Sequence, residues 1–569
     1  MTRNYSSSLP VPHTRKLQIL AQDPTVKVGR EILTTEVDVP DEELEAGPRG
    51  YRVHVVDYDV STGRLYPAAE IPVRPANPAQ LIDDFAFHAQ NVYAIVMRTL
   101  ARFEFALGRR LSWSFDGHQL HASPHAFVDA NAFYSKNERG LFFGYFQGTE
   151  NNTVYTCLSH DVVAHETTHA LLDGLRSRYT MPFSPDQAAF HEGFADIVAL
   201  LSIFSLPGVV EGLLDEKAPK KDQRFVERRW LDAENLRSTA LFGVGEEIDP
   251  RRGALRRSVE LRPNKEILKQ AEFREEHRRG EVLVAAVMNA FLNIWLERIR
   301  QLGDGTEKKL LRSMVAEQGM ATADHLLTMC VRALDYAPVV DIQFGDFLTS
   351  MLTADLEVQP DDRQHAYRDT LRNSFRDYGI GLAPTKGNAG IAGVWEPPNV
   401  AIDYSKVHFE SLRQDPDEVF RFMWENRGEL GLNENAYTRV QSVRPCVRLS
   451  TDGFLLRETV AEYVQILNLS AGELGKIDIK LPKKMRPDTE IWLYGGGAVI
   501  FDEFGRLKYH VRNRVTNAER QTARLRYLWE VGFFDEGGRQ QRGFAEMHRL
   551  RMMAGVPEAR GENDHGEYF

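Results

Sequence analysis

Cysteine is scarce. The 569 residues contain three, Cys157, Cys330 and Cys446, far apart and in no C-x-x-C pair. A disulfide framework or a cysteine-built zinc site is therefore not expected, and three reduced, buried thiols are. No apolar run reaches the length of a membrane span. The opening stretch MTRNYSSSLPVPHTRKLQIL has no continuous apolar core of the signal-peptide kind. A membrane partner is not expected, and a cytoplasmic location is the default, with non-classical export left open. A basic excess is missing too: 70 Lys and Arg stand against 81 Asp and Glu, for a net charge of -11. That excludes nucleic-acid binding through a general positive field.

What is present reads as an ordinary folded chain, 43% hydrophobic and 27% charged, long enough for two or three cores. Residues 1–50 form an N-terminal extension of short strand-like stretches. Tyr51–Tyr58 reads as a strand, followed by a turn at Ser61-Thr62-Gly63. Helical spacing runs from Pro78 to Leu107, and residues 110–157 return to aromatic-rich strands. One helix is expected from about Asp161 to Leu175, with Ser159 as its cap. A second runs from Pro185 to Ser205 and is closed by Pro207-Gly208. An apolar helix covers Glu281–Trp295, with further helical patterns at 306–318, 321–335, 343–354 and 360–378. Composition turns to Gly and Pro over 381–400, which reads as a linker. Beyond it, strands are expected at Thr438–Leu449 and Gly453–Leu467, with a hairpin over Glu490–Val511 turning at Glu503-Phe504-Gly505. Residues 401–550 thus form a C-terminal α+β domain and 551–569 a mobile tail.

The chemistry concentrates in two helices. The first reads SHDVVAHETTHALLDG. His165 and His169 are four apart, so an α-helix puts both imidazoles on one face, and Glu166 follows the first. This is the H-E-x-x-H pattern of zinc hydrolases. The second helix reads AFHEGFADIVALL. A catalytic zinc site needs three protein ligands and an open position, and Glu192, 23 residues after His169, could be the third. Asp196, one turn further, could accept the outer N–H of a ligand histidine. Alone, Glu192 would read as a solvated helix carboxylate, and the two histidines as a surface pair. Together they read as a metal site, with Glu166 as the general base acting on water.

These residues resemble thermolysin and the other gluzincin metallopeptidases, a resemblance that implies a ligand set of two histidines and a glutamate. Asp161 to Glu166, DVVAHE, is similar to the family's helix start, and Glu192-x-x-x-Asp196 matches its third ligand and the carboxylate behind it. Asn131-Ala132-Phe133-Tyr134 is similar to the edge strand on which the family lays an extended peptide, with Phe143-Gly144-Tyr145 as its hairpin partner. The resemblance implies an oxyanion-donating role for His277, partnered by Glu272 or Glu276, and a second such role for Tyr179. It covers residues 51–380, split into a strand-rich lobe (51–175) and a helical lobe (176–380).

The chain departs from the family as well. The family's Asn before the third ligand is His191, for which a packing or ligand-orienting place is expected rather than a fourth ligand. Asp161 matches a calcium ligand of secreted relatives, but its partner position is Ile203, so calcium is not expected. The family's substrate-binding arginine has no clear counterpart; Arg237 and Arg251 are the candidates.

The expected fold is thus α+β, a thermolysin-like two-lobed domain with an extra C-terminal domain. The expected function is zinc-dependent endopeptidase, with one catalytic Zn2+ and a peptide or protein substrate. A catalytically quiet interaction protein, and a toxin or effector protease directed by residues 401–550, stay open as alternatives. The oligomeric state is not legible.

Overall fold

A computed structural model describes residues 13–534, apart from 23, 25–26, 29–30, 74–77, 149–151, 207, 216–223, 238–257, 304–306, 385–392 and 451–452. The expected tail, residues 385–392 of the linker, Pro207 and Arg251 lie outside the described residues. The architecture is mixed α+β.

Strands β1 (Thr14–Leu20) and β2 (Thr34–Pro40) pair antiparallel. They alternate as half-buried strands should, and Leu17, Ile19, Val37 and Val39 enter the main core. The N-terminal segment is therefore not an appendage. Asn91 Oδ1 accepts from the Leu20 amide at 2.9 Å, and Gln90 donates to the Gln18 carbonyl at 2.8 Å, fastening it to the first long helix. Strand β3 is only Val53–Val55, shorter than the expected Tyr51–Tyr58. The helix expected from Pro78 begins later. Asp84 caps it through the amides of Ala86 and Phe87, giving α1 (Phe85–Leu107) behind a separate 3-10 turn at Pro78–Asp83.

Then come β4 (Leu120–Val128), β5 (Ala132–Ser135), β6 (Gly140–Gln147) and β7 (Thr153–Tyr155). With β3 they make one mixed sheet: β6 pairs parallel with β4 and antiparallel with β5 and β7, and β3 runs parallel to β4. Helices α2 (His160–Leu175) and α3 (Pro185–Phe204) follow. Ser184 caps α3 through the Gln187 amide, with Pro185 in its first turn. Ser159 holds the cap position of α2, but its hydroxyl donates to the Asp161 carboxylate and makes no capping bond to the backbone.

Helix α4 spans Glu276–Arg300, ten residues more than expected. It is long and apolar enough to cross a membrane by composition, contrary to the reading that no such run exists. Yet 83% of its most apolar window is buried in this fold, as in a core helix. The patterns at 306–318 and 321–335 are one helix, α5 (Arg312–Ala333). Gly319 does not break it: a Cβ there would lie 2.8 Å from the Trp295 ring, so the glycine admits the indole of α4. Helices α6 (Phe344–Val358) and α7 (Tyr367–Asp377) complete this part. One continuous apolar core runs from Leu17 to Val394 through both expected lobes.

The C-terminal part holds α8 (Pro416–Glu425), the antiparallel sheet β8 (Tyr437–Leu449), β9 (Leu455–Ser470), β10 (Glu490–Phe501) and β11 (Leu507–Asn513), then α9 (Ala518–Glu530). The sheet is as expected, and the β10–β11 turn passes through Gly505 at φ +77°. The two helices supply the α part of the expected α+β domain, at positions that the sequence reading did not assign. This sheet shares apolar clusters with the preceding helices, joining Tyr336 and Ala354 to Cys446 and Val460, and Phe183 and Val340 to Val464. All three cysteines are buried and in no disulfide.

Buried charge crosses the same contact. Arg109 grips Asp335 with both Nη atoms at 2.6 and 2.7 Å. Arg448 bonds Asp335, and it also donates to Glu458 at 2.5 Å. Glu458 accepts further from Tyr336 at 2.7 Å and from Lys508 at 2.9 Å. Burial alone would raise the Asp335 pKa; Arg109 above all, with Arg448 and Arg176, holds it well below the usual carboxylate range. Removing one partner of such a set strands the other charges in the interior. Arg448→Ala is expected to cost about 3–5 kcal/mol of unfolding free energy, from the range for broken buried pairs. Denaturant unfolding of the full chain measures it. A loss under about 1 kcal/mol, the scale of exposed pairs, would show that the contact is not a bolt.

Candidate metal centre

Helix α2 sets the first candidate ligands. One turn separates His165 from His169, and their rings stand perpendicular at 4.5 Å. Thr167 and Thr168 satisfy themselves within the helix, donating to the carbonyls of Val163 and Ala164 at 2.7 Å. Helix α3 brings Glu192 to the same point. Its Oε2 is 3.6 Å from His165 Nε2, and its Oε1 is 3.6 Å from His169 Nε2. The two Nε2 atoms are 2.9 Å apart. Zinc bonds of about 2.0–2.2 Å in a tetrahedron would hold ligand atoms about 3.3 Å from one another. The observed edges lie on either side of that spacing.

The outer nitrogens are tied down. His165 Nδ1 is 2.8 Å from Asp196 Oδ1, and His169 Nδ1 is 2.7 Å from His191 Nδ1. An ionised carboxylate only accepts, so His165 Nδ1 carries the proton and Nε2 turns a lone pair inward. Burial opposes charge on His165, but hydrogen bonds to Asp196 and Glu192, with the charge of Glu166 behind them, raise its pKa to about 9. Three carboxylates thus draw positive charge to this point. A divalent cation could carry it, with both imidazoles neutral. His191 is pushed down to about 4 by burial, so it stays neutral beside His169. The donor set, its spacing and its charge all fit zinc.

Glu166 sits in the same cluster, its carboxylate within 4.8 Å of both inner histidine nitrogens. Its Oε2 accepts from the Tyr134 amide at 3.0 Å, and the Tyr134 hydroxyl donates to Asp173 of α2 at 3.1 Å. Strand β5 is therefore laced to the metal helix at two points. In register, Ala132 faces Phe143 and Tyr134 faces Leu141, so the hairpin partner is Gly140–Phe143 and not the expected Phe143-Gly144-Tyr145, whose last two residues are in register with β4. The Asn131 carbonyl accepts from the Gly144 amide at 2.8 Å. Gly144 is required there, because a Cβ would lie 2.2 Å from the Asp129 carbonyl oxygen.

His277 lies in the first turn of α4. Its Nδ1 bonds the Glu275 carboxylate, which corrects the expectation of Glu272 or Glu276. Glu275 is the cap residue of α4, accepting from the Arg278 amide at 2.8 Å, so its carboxylate folds back onto the ring. Glu276 accepts from the Tyr527 hydroxyl instead, at 3.1 Å. Burial raises the Glu275 carboxyl, but the His277 bond and charge outweigh it and take the pKa to about 2. His277 Nε2 is buried and meets no hydrogen-bond partner among the described residues. One turn on, α4 crosses α3 at Gly280 and Gly193. A Cβ on Gly193 would lie 2.9 Å from the Gly280 carbonyl oxygen, so both glycines are needed to set the His277 helix against the residue next to Glu192.

Tyr179 is a correction. It is 1% exposed, and its hydroxyl donates to the Pro338 carbonyl at 2.5 Å. Its ring packs edge-on against Phe190 at 5.6 Å, so packing and the Pro338 bond occupy the side chain that was expected to serve as an oxyanion donor. Arg237 donates to Asn289 on α4 at 2.5 Å. Asp161 takes the Ser159 hydroxyl, and Ile203 is core. Sequence reasoning missed Glu275 and the Tyr134 amide. The first could have been found as a carboxylate at a helix cap two residues before His277; the second is a backbone group with no residue signature.

Removing the carboxylate behind His165 should loosen the metal without removing a ligand. Asp196→Ala is expected to weaken zinc binding roughly 10–100-fold, the usual cost of losing such a partner. Competition with a chromophoric chelator measures it, with Glu192→Ala as the blank. An unchanged affinity would mean that Asp196 does not orient a ligand.

A scan against protein-family models finds no match, and neither does a comparison with curated proteins.

Proposed function

We propose that this chain is a zinc-dependent endopeptidase of the thermolysin-like kind. The observation that carries the reading is the convergence of His165 Nε2, His169 Nε2 and the Glu192 carboxylate, with Glu166 beside them and anchored to a strand edge. His165, His169 and Glu192 would hold the ion. When bound, zinc supplies a Lewis acid that acidifies a water and polarises a carbonyl.

The chain's own residues divide the remaining work. Glu166 takes the water's proton and returns it to the leaving amine. Its bond to the Tyr134 amide fixes one carboxylate oxygen, so the base is aimed before substrate arrives. Asn131 and Ala132 open strand β5, and an extended peptide adding to that strand would lie along the metal helix. His277 donates from Nε2 to the negative charge that develops on the attacked carbonyl oxygen, its ring held by Glu275. Only an acid–base site needs Glu166; a purely structural zinc does not. Narrow specificity is the reading for an enzyme of this type that acts among a cell's own proteins.

The decisive comparison is Glu166→Gln against wild type, on a peptide library and by elemental analysis. Glu166→Gln is expected to keep its metal and to cleave roughly 10²–10⁴-fold more slowly, the span for lost general-base catalysis. Glu192→Ala is expected to lose one zinc equivalent. Undiminished cleavage by Glu166→Gln, or no zinc on folded wild-type protein that Glu192→Ala would remove, would overturn the reading.

A further inference from the structure

A second group of donors lies apart from the first, where α1, β4 and the turn into α2 meet. His88, His125 and Cys157 are all 0% exposed, and their ligand atoms lie within 4.8 Å of one another. His125 Nδ1 is 2.6 Å from the Asp57 carboxylate, and the His125 amide also donates to Asp57 at 2.9 Å. His88 Nε2 is 2.9 Å from the Ile82 carbonyl oxygen. Both partners are acceptors, so both of these ring nitrogens carry protons. The remaining nitrogens, His88 Nδ1 and His125 Nε2, face each other at 2.8 Å.

Two imidazole lone pairs do not face each other at that distance in an apolar interior without positive charge between them. Either one ring carries an extra proton or a cation sits there. The same arrangement occurs at the first centre: inner nitrogens 2.9 Å apart, an outer nitrogen held by a carboxylate. Here a thiol stands beside the pair. A Cys157 thiolate and the Asp57 carboxylate would together balance a divalent ion. The surroundings are aromatic, with the Phe85 ring stacked on His125 at 4.2 Å and Tyr155 against His88 at 4.8 Å. Such a shell holds the ligand rings in place.

The geometry points to a second, structural metal site, in which His88 Nδ1, His125 Nε2 and the Cys157 thiolate bind a divalent transition-metal ion, zinc in the first place. Asp57 and the Ile82 carbonyl orient the two rings. Three protein ligands leave one position that a water could take. Full burial separates this site from catalysis. Its effect is a staple: Cys157 is three residues before His160, where α2 begins, so the ion would fix the start of the metal helix to β4 and α1. This also revises the expectation that no cysteine binds zinc here; the C-x-x-C rule does not see one thiol joined by two distant histidines.

The test uses the full chain carrying His169→Ala, which removes the first centre from the count. Elemental analysis is expected to find one zinc equivalent remaining, and none in His169→Ala with Cys157→Ser. Cobalt(II) loaded into the His169→Ala protein is expected to give the strong near-ultraviolet thiolate-to-metal band, lost on adding Cys157→Ser or, with the thiol intact, weakened by His88→Gln. If a cysteine variant fails to fold, the metal count and cobalt band of the His169→Ala protein still decide. A folded His169→Ala protein that binds no transition metal and shows no thiolate band would overturn the site and leave a shared proton between the rings. Loss of peptidase activity alone does not bear on it.

Discussion

Two imidazoles and three carboxylates, all buried, share the space between α2 and α3. No apolar interior tolerates such a set unless its charges and lone pairs are answered. Much of the surrounding structure can be read as the answer. His165 and His169 point inward because Asp196 and His191 hold their outer nitrogens. Glu192 reaches them because α3 runs alongside α2. Helix α3 in turn packs closely on α4 because neither Gly193 nor Gly280 has a side chain in the way. Each layer sets the position of the one inside it, so the inner histidines are aimed by residues that would never touch an ion.

The centre was legible because its signal is periodic. His165, Glu166 and His169 differ by helical spacing, and Glu192 and Asp196 repeat that spacing on the next helix, so one assumption about local structure places five side chains. His277 was legible as a helix-opening residue, but its partner was not. Glu272, Glu275 and Glu276 are equivalent until the cap is known, and only the backbone turn at Glu275 selects one. Tyr179 failed for a different reason. Spacing from His169 places its Cα, whereas the direction of its hydroxyl depends on Pro338, which arrives from 159 residues further along.

Elements were misread where a residue serves a neighbour instead of its own segment. The patterns at 306–318 and 321–335 were read as separate, and Gly319 between them is a socket for Trp295 within one helix. The Pro78–Leu107 pattern looks continuous, yet Asp84 restarts the helix because its carboxylate takes two amides. Cys157 looks isolated in sequence, and its companions His88 and His125 come from a helix and a strand with no shared period. A metal site of the kind proposed there, assembled across three elements, would leave no motif behind, whereas one built on paired helix turns would.

The C-terminal sheet is built into the helices that carry the candidate centre. A module that only recruits substrate is expected to join through a polar, separable contact. Here the join carries Asp335, Arg448 and Glu458, whose side chains are 1% exposed or less. Arg176, the residue that ends α2, bonds Glu462 of β9 and the Leu334 carbonyl. Gly108, which ends α1, accepts the Val447 amide of β8 at 3.0 Å, and a Cβ on it would lie 2.3 Å from the Val447 carbonyl oxygen. The ends of both helices next to the metal centre are thus closed by strands from the last third of the chain. A ligand acting on that sheet would reach the metal helix through one buried ion pair. Deleting the sheet would take Glu462 from Arg176 and Arg448 from Asp335 and uncover the apolar clusters beneath it, instead of simply removing a docking surface, so loss of the proposed cleavage on truncation would say nothing about recruitment. Point changes at exposed residues of this part, Trp492 on β10 or Phe454 in the β8–β9 connection, separate the two roles because they leave the buried charges paired.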